Sequence, residues 1–85
     1  MAKIEIYTTS SCPYCHAAKS PLGRKGVDFS ELNVTGDPVA RSAMSTRANG
    51  RTSVPQIFID GRHVGGCDDL YALEEAGELD ALLAS

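Results

Sequence analysis

Polar and apolar positions alternate over Lys3-Ile4-Glu5-Ile6-Tyr7-Thr8, the period of two that marks a half-buried strand. A Thr/Ser-rich turn follows. The pattern then becomes helical from Pro13 to about Arg24, with Gly26 placed to stop it. Pro21 falls inside this stretch. It lacks an N–H and crowds the preceding turn, so a kink or an early helix end is expected, and Gly23 weakens the last turn further. Val27 to Val34 reads as a second strand, although its alternation breaks between Phe29 and Leu32, where a bulge or register change fits. Asp37-Pro38 supplies an N-cap and a first helical residue. Ala40, Ala43 and Met44 then form the predicted buried face, and Asn49-Gly50 ends the helix. Gln56 to Asp60 is a short apolar strand, and Asp60-Gly61 is a hairpin signal leading into Arg62-His63-Val64. Gly65-Gly66 closes the hairpin, and Asp68 or Asp69 is expected to cap a third helix carrying Leu70 and Leu73. Gly77 breaks that helix, and Leu79, Leu82 and Leu83 mark a last turn or a short fourth helix.

The predicted order is β-α-β-α-β-β-α. A right-handed crossover makes the first two strands parallel, and the hairpin adds two antiparallel strands. The expected result is an α/β, thioredoxin-like fold: one mixed four-stranded sheet flanked by three or more helices, forming a single domain over residues 1–85.

Charge and cysteine content narrow the function. With 11 acidic and 8 basic side chains the formal charge is −3, which speaks against broad binding to nucleic acid or an acidic membrane surface. No apolar stretch reaches membrane-spanning length, and residues 1–8 lack the basic region and apolar core of a signal peptide. A cytoplasmic monomer is the expectation. Three cysteines is an odd count, unlike a disulfide-stapled secreted scaffold. In a reducing compartment, paired cysteines are more often catalytic or metal-binding.

Two of the three form Cys12-Pro13-Tyr14-Cys15, between the first strand and the first helix. Spacing alone leaves a redox site, half a zinc site and a structural disulfide open. Pro13 shifts the balance to redox, because proline suits the first helical position and so puts both sulfurs at one helix end. Unpaired N–H groups and the macrodipole there favour negative charge on Cys12, while Cys15 lies one turn deeper. An exposed nucleophile beside a shielded resolver is the resulting expectation. A metal would need ligands from His16, His63 or Cys67, but no second Cys-x-x-Cys and no His-x-x-x-His exists, so no metal is expected.

Cys-Pro-Tyr-Cys-His near the N-terminus, Thr-Ser-Val-Pro-Gln before a strand and Gly-Gly-Cys-Asp-Asp before a helix together resemble the glutaredoxins, in particular the short bacterial dithiol type. The resemblance spans nearly the whole chain. It implies a glutathione-dependent thiol–disulfide oxidoreductase in which Cys12 and Cys15 are catalytic. It implies a cis Pro55, with the backbone of Val54 pairing with glutathione beside Ser53 and Tyr14. It further implies that the amides at Cys67 and Asp68, next to Gly66 of the same site, hold the γ-glutamyl carboxylate, and that Asp68 and Asp69 meet its ammonium group. Arg47, Arg51 and Gln56 are the candidates for the glycine carboxylate. Glutathione is then co-substrate, and the partners are glutathionylated or disulfide-containing proteins, with ribonucleotide reductase a family-level candidate.

Thr9 departs from the pattern, since glutaredoxins commonly carry a lysine there that is associated with glutathione binding and thiolate stabilisation. Lys19 lies too far along the helix to be taken as its substitute. The alternatives are therefore a redoxin reduced by thioredoxin reductase and a glutaredoxin that binds an iron–sulfur cluster. The simpler roles are a solvated helix position for His16, a hairpin surface position for His63, and small-residue packing for Cys67.

Overall fold

The computed structural model describes residues 2–84. The chain runs β1 (Ile4–Thr8), α1 (Pro13–Arg24), β2 (Ser30–Asn33), α2 (Pro38–Arg47), β3 (Gln56–Ile59), β4 (Arg62–Gly65), α3 (Cys67–Glu75) and α4 (Leu79–Leu83). The sheet order is β2-β1-β3-β4, with β1 parallel to β2 and antiparallel to β3, and β3 antiparallel to β4. This is the expected mixed sheet of the thioredoxin-like fold.

Alternation along the central strands sorts the core onto two faces. Ile4, Ile6, Ile57 and Ile59 pack against Ala18 and Leu22 of α1, Leu70 of α3, and Leu79 and Leu83 of α4. Tyr7 and Phe58 point the other way and pack with Val34, Met44 and Ala48 around α2. Asp60 and Gly61 both have positive φ, 52° and 79°, as a two-residue hairpin turn with right-handed strand twist requires.

Four expectations are corrected in detail. Helix α1 runs to Arg24 as its pattern predicts, and it is the early end at Pro21 that is corrected, the proline ring being buried within the helix. Pro21 has no N–H to give the Ala17 carbonyl, and the Tyr71 hydroxyl of α3 donates to that oxygen instead, at 2.9 Å. The helix then closes on Gly26 (φ 69°), with Gly26 N–H donating to Gly23 O and Val27 N–H to Leu22 O. Strand β2 is shorter than Val27–Val34. It is an edge strand whose parallel pairing spans only Ser30–Asn33, while Val27 and Phe29 pack on the core outside the ladder. On α2, Ala43 is exposed, and the buried pair is Met44 and Ala48, four residues apart on one face. Helix α3 begins at Cys67 with Gly66 as its cap position, so Asp69 sits in the first turn and neither aspartate is the cap.

The Tyr71 contact gives a direct test. Tyr71→Phe is expected to lower stability to urea by about 1 kcal/mol, since it bares a carbonyl inside a helix. The same change in a Pro21→Ala background restores a helical N–H opposite Ala17 and is expected to cost clearly less. Equal costs in both backgrounds would contradict this account.

Candidate active site

Helix α1 starts where the cysteine pair lies. Asp37 opens α2 in the ordinary way, its carboxylate accepting from Ala40 N–H at 3.0 Å. In α1 the corresponding residue is Cys12, whose sulfur accepts from Cys15 N–H at 3.2 Å, with Pro13 at the first helical position. The nucleophile candidate is thus the cap of its own helix. Its thiol also donates to the Val54 carbonyl at 3.6 Å, across the peptide bond to Pro55, which is cis. Cys12 is 9% accessible and Cys15 1%. The expected contrast holds in order but not in degree, because Val54 covers part of the Cys12 sulfur. The Cys15 thiol is pushed up to about 11, first by burial and then by its contact with Cys12.

A groove opens beside Cys12. Tyr14, 66% accessible, forms one side, and Ser53, Val54 and Pro55 form another. The N-terminus of α3 closes it with Gly66, Cys67, Asp68 and Asp69, and Arg51 stands at its edge. The groove therefore lies beside one helix N-terminus and includes another, an arrangement suited to an anionic ligand.

The polar groups around the groove are tied together. Asp69 accepts from Gly66 N–H at 2.8 Å and from Arg51 at 3.0 Å. The Gly66 amide, ahead of Arg51, holds its carboxyl below the ordinary aspartate range. Gly65 adopts φ 121°, and a β-carbon there would run into the Asp69 carboxylate and the Arg51 guanidinium. Arg41 of α2 donates to the Thr52 carbonyl at 3.1 Å, bracing the segment that leads to Val54.

One family model matches most of the chain. Residues 4–64 fit the glutaredoxin family, a span that includes both cysteines and the Val54–Pro55 peptide. The chain is a glutaredoxin. It is 59% identical to glutaredoxin 3 of Escherichia coli over 98% of this chain and 99% of that one. Its fold matches the solution structure of a Brucella melitensis glutaredoxin at a TM-score of 0.85 and 53% identity, covering 98% of this chain and 89% of that one. It also matches a buckwheat glutaredoxin solved as a glutathione complex, at a TM-score of 0.86, covering 98% and 77%; at 22% identity this bears on the fold alone. Glutaredoxins are thiol–disulfide oxidoreductases, and a dithiol at a helix N-terminus beside an open groove is equipment for that exchange.

Two sequence candidates fall outside the lining of the glutaredoxin groove. Arg47 turns to β1, where it grips Glu5 at 3.1 Å and the Tyr7 hydroxyl at 2.9 Å and lies 4.1 Å over the Phe58 ring. That guanidinium in turn lowers the Glu5 carboxyl. Gln56 is fully buried, with its amide bonded to Ser53 and His63. His63 is not a free surface residue but half-buried against Phe58, their ring centroids 5.1 Å apart. His16 is exposed and Cys67 is buried, as expected. Lys19 pairs with Glu31 at 3.1 Å, and Glu31 also accepts from Thr8 at 2.7 Å. Sequence reasoning missed Arg41, Gly65 and Tyr71, whose partners lie on other elements and leave no local signal. Among the described residues no cluster of His, Cys, Asp or Glu converges as a metal site, and no helix is long and apolar enough to cross a membrane.

Two outcomes follow from these groups. Peptide mapping after alkylation of the reduced protein at about pH 8 should find Cys15 unlabelled, because its thiol ionises only near 11. Extensive labelling of Cys15 at that pH would show the shielding to be absent. Asp69→Asn is expected to lower stability by about 1 kcal/mol near pH 7. Because the folded carboxyl is depressed, its contribution is complete above the unfolded aspartate value of about 3.9 and fades as pH falls through the lower folded value. The gap between wild type and variant should therefore shrink on acidification below about pH 4.

Proposed function

We propose that this glutaredoxin reduces glutathione mixed disulfides and protein disulfides, with glutathione as its reductant. The observation that carries the reading is the Cys12 sulfur at the α1 N-terminus, beside a groove that includes Val54-Pro55 and the α3 N-terminus. Glutathione suits this groove: an extended peptide with two carboxylates and one ammonium. Its cysteine would pair with the Val54 backbone beside Ser53 and Tyr14. Its γ-glutamyl carboxylate would face the α3 amides, its ammonium Asp68 and Asp69, and its glycine carboxylate Arg51. With Arg47 and Gln56 engaged elsewhere, Arg51 is the cation that lines the groove. Membership of the glutaredoxin family supports the same ligand.

In the proposed reaction the Cys12 thiolate attacks the glutathione sulfur of a mixed disulfide. A Cys12–glutathione disulfide forms, and the protein thiolate leaves and takes a proton. A second glutathione thiolate attacks the bound glutathione sulfur, releasing glutathione disulfide and restoring Cys12. For a protein disulfide, Cys12 forms the mixed disulfide and Cys15, deprotonated as it attacks, displaces the substrate thiol. The Cys12–Cys15 disulfide then takes two electrons from two glutathione molecules. A compartment that keeps glutathione reduced, the cytoplasm, is the proposed setting.

The test is turnover of a small glutathione mixed disulfide, comparing glutathione plus glutathione reductase with thioredoxin reductase as electron source. Turnover with glutathione is expected, at a rate that Cys15→Ser largely keeps and Cys12→Ser abolishes. Reduction of a protein disulfide should fail in both variants. Turnover by thioredoxin reductase alone would move the protein to the redoxin class, and an active Cys12→Ser would refute the scheme.

A further inference from the structure

Gln56 has no accessible surface, and its side-chain amide faces two partners. One is the Ser53 carbonyl, which can only accept, so the nitrogen Nε2 must lie there, at 2.9 Å, with the Ser53 hydroxyl 3.3 Å away. That turns Oε1 to His63 Nε2 at 2.7 Å. A carbonyl oxygen accepts only, so His63 must carry its proton on Nε2. The other ring nitrogen, Nδ1, then accepts from the Asn49 amide, 3.4 Å away at the end of α2. The ring is held by Phe58, directly opposite it in the β3–β4 register. An unbroken chain of hydrogen bonds thus runs from Asn49 through His63 and Gln56 into Ser53. Ser53 adjoins Val54, whose carbonyl contacts the Cys12 sulfur.

We infer that His63, acting through Gln56, is a positioning residue that fixes the Ser53-Val54-Pro55 wall of the groove for substrate. His63 does not itself line the groove, so its effect passes through Gln56. Without the His63 N–H, the buried Gln56 oxygen has lost its donor, a defect the amide relieves by turning away from Ser53. Burial and the nearby Arg51 favour the neutral ring, while Asp69 opposes them; these are the charged groups that act on it. Both ring states keep the Nε2 proton, so the tether survives protonation. The importance of the wall for glutathione rests on the proposed function, but the tether itself does not.

Three proteins test the inference: wild type, His63→Leu, which has no donor, and His63→Gln, whose amide nitrogen reaches where Nε2 stood. Nitrogen NMR of the wild-type ring should show the Nε2–H tautomer. Hydrogen exchange of the Gln56 side-chain amide should be slow, accelerate in His63→Leu and slow again in His63→Gln. With the glutathione mixed disulfide, His63→Leu should raise KM about tenfold with kcat changed by less than about twofold, and His63→Gln should recover most of it. A wild-type Nδ1–H tautomer, an unchanged KM in His63→Leu, or equal losses in both variants would overturn the inference. If wild type fails to turn over with glutathione, the proposed function fails by itself. The Gln56 exchange rates then decide: acceleration reversed by glutamine supports the tether, and unchanged rates overturn it.

Discussion

A helix has to satisfy the N–H groups of its first turn, and in α1 a sulfur atom does this. Cys12 Sγ accepts from the amide of Cys15, the residue whose thiol is its proposed partner in exchange. Capping and chemistry are therefore one geometric requirement. Any displacement of the helix start moves the two sulfurs and the groove entrance together. Pro13 fixes the first turn, and the Val54 carbonyl meets the same sulfur from the other wall. From this point the rest of the groove can be laid out: Tyr14 on the exposed side of the first turn, residues 53–55 opposite, and the α3 N-terminus at the end.

Much of the architecture was legible because its signals are local. Asp60-Gly61 needs only its own backbone preference to turn, and Asp37-Pro38 starts α2 with an oxygen three residues from its target amide. The cysteine pair announced itself by spacing and by Pro13. What escaped was decided across the sequence. Pro21 reads as a helix breaker because its compensation, the Tyr71 hydroxyl, lies 54 residues from Ala17. Ala43 looked as apolar as Ala48, and only the packing of α2 on Tyr7 and Phe58 distinguishes them. The cis peptide at Pro55 came from the resemblance to a family and not from the residues themselves.

The polar candidates show the same division. Arg47, Arg51 and Gln56 were interchangeable on paper as partners for a carboxylate. In the fold Arg47 finds Glu5 and Tyr7 on β1, and Gln56 points into the protein on the α2 side of the sheet. Arg51 alone of the three reaches the groove, and it arrives already paired with Asp69. That pair is about half exposed, so the ion pair is weak and its geometry is the larger part of its effect. Gly65 fits the same picture, since its missing side chain is the space the pair occupies.

The Tyr71 hydroxyl has a meaning beyond the repair of one helix. Helices α1 and α3 both direct their N-terminal ends at the groove, one bearing the sulfurs and the other the amides proposed to hold a carboxylate. Their relative height along the sheet face sets the distance between those two functions. Apolar packing alone resists sliding only softly, because neighbouring side chains can trade places along the seam. A phenol bonded to one particular carbonyl is an index mark, since moving either helix by a turn would leave Ala17 without a donor. The proline that empties the carbonyl is thus what makes the alignment of the two helices specific.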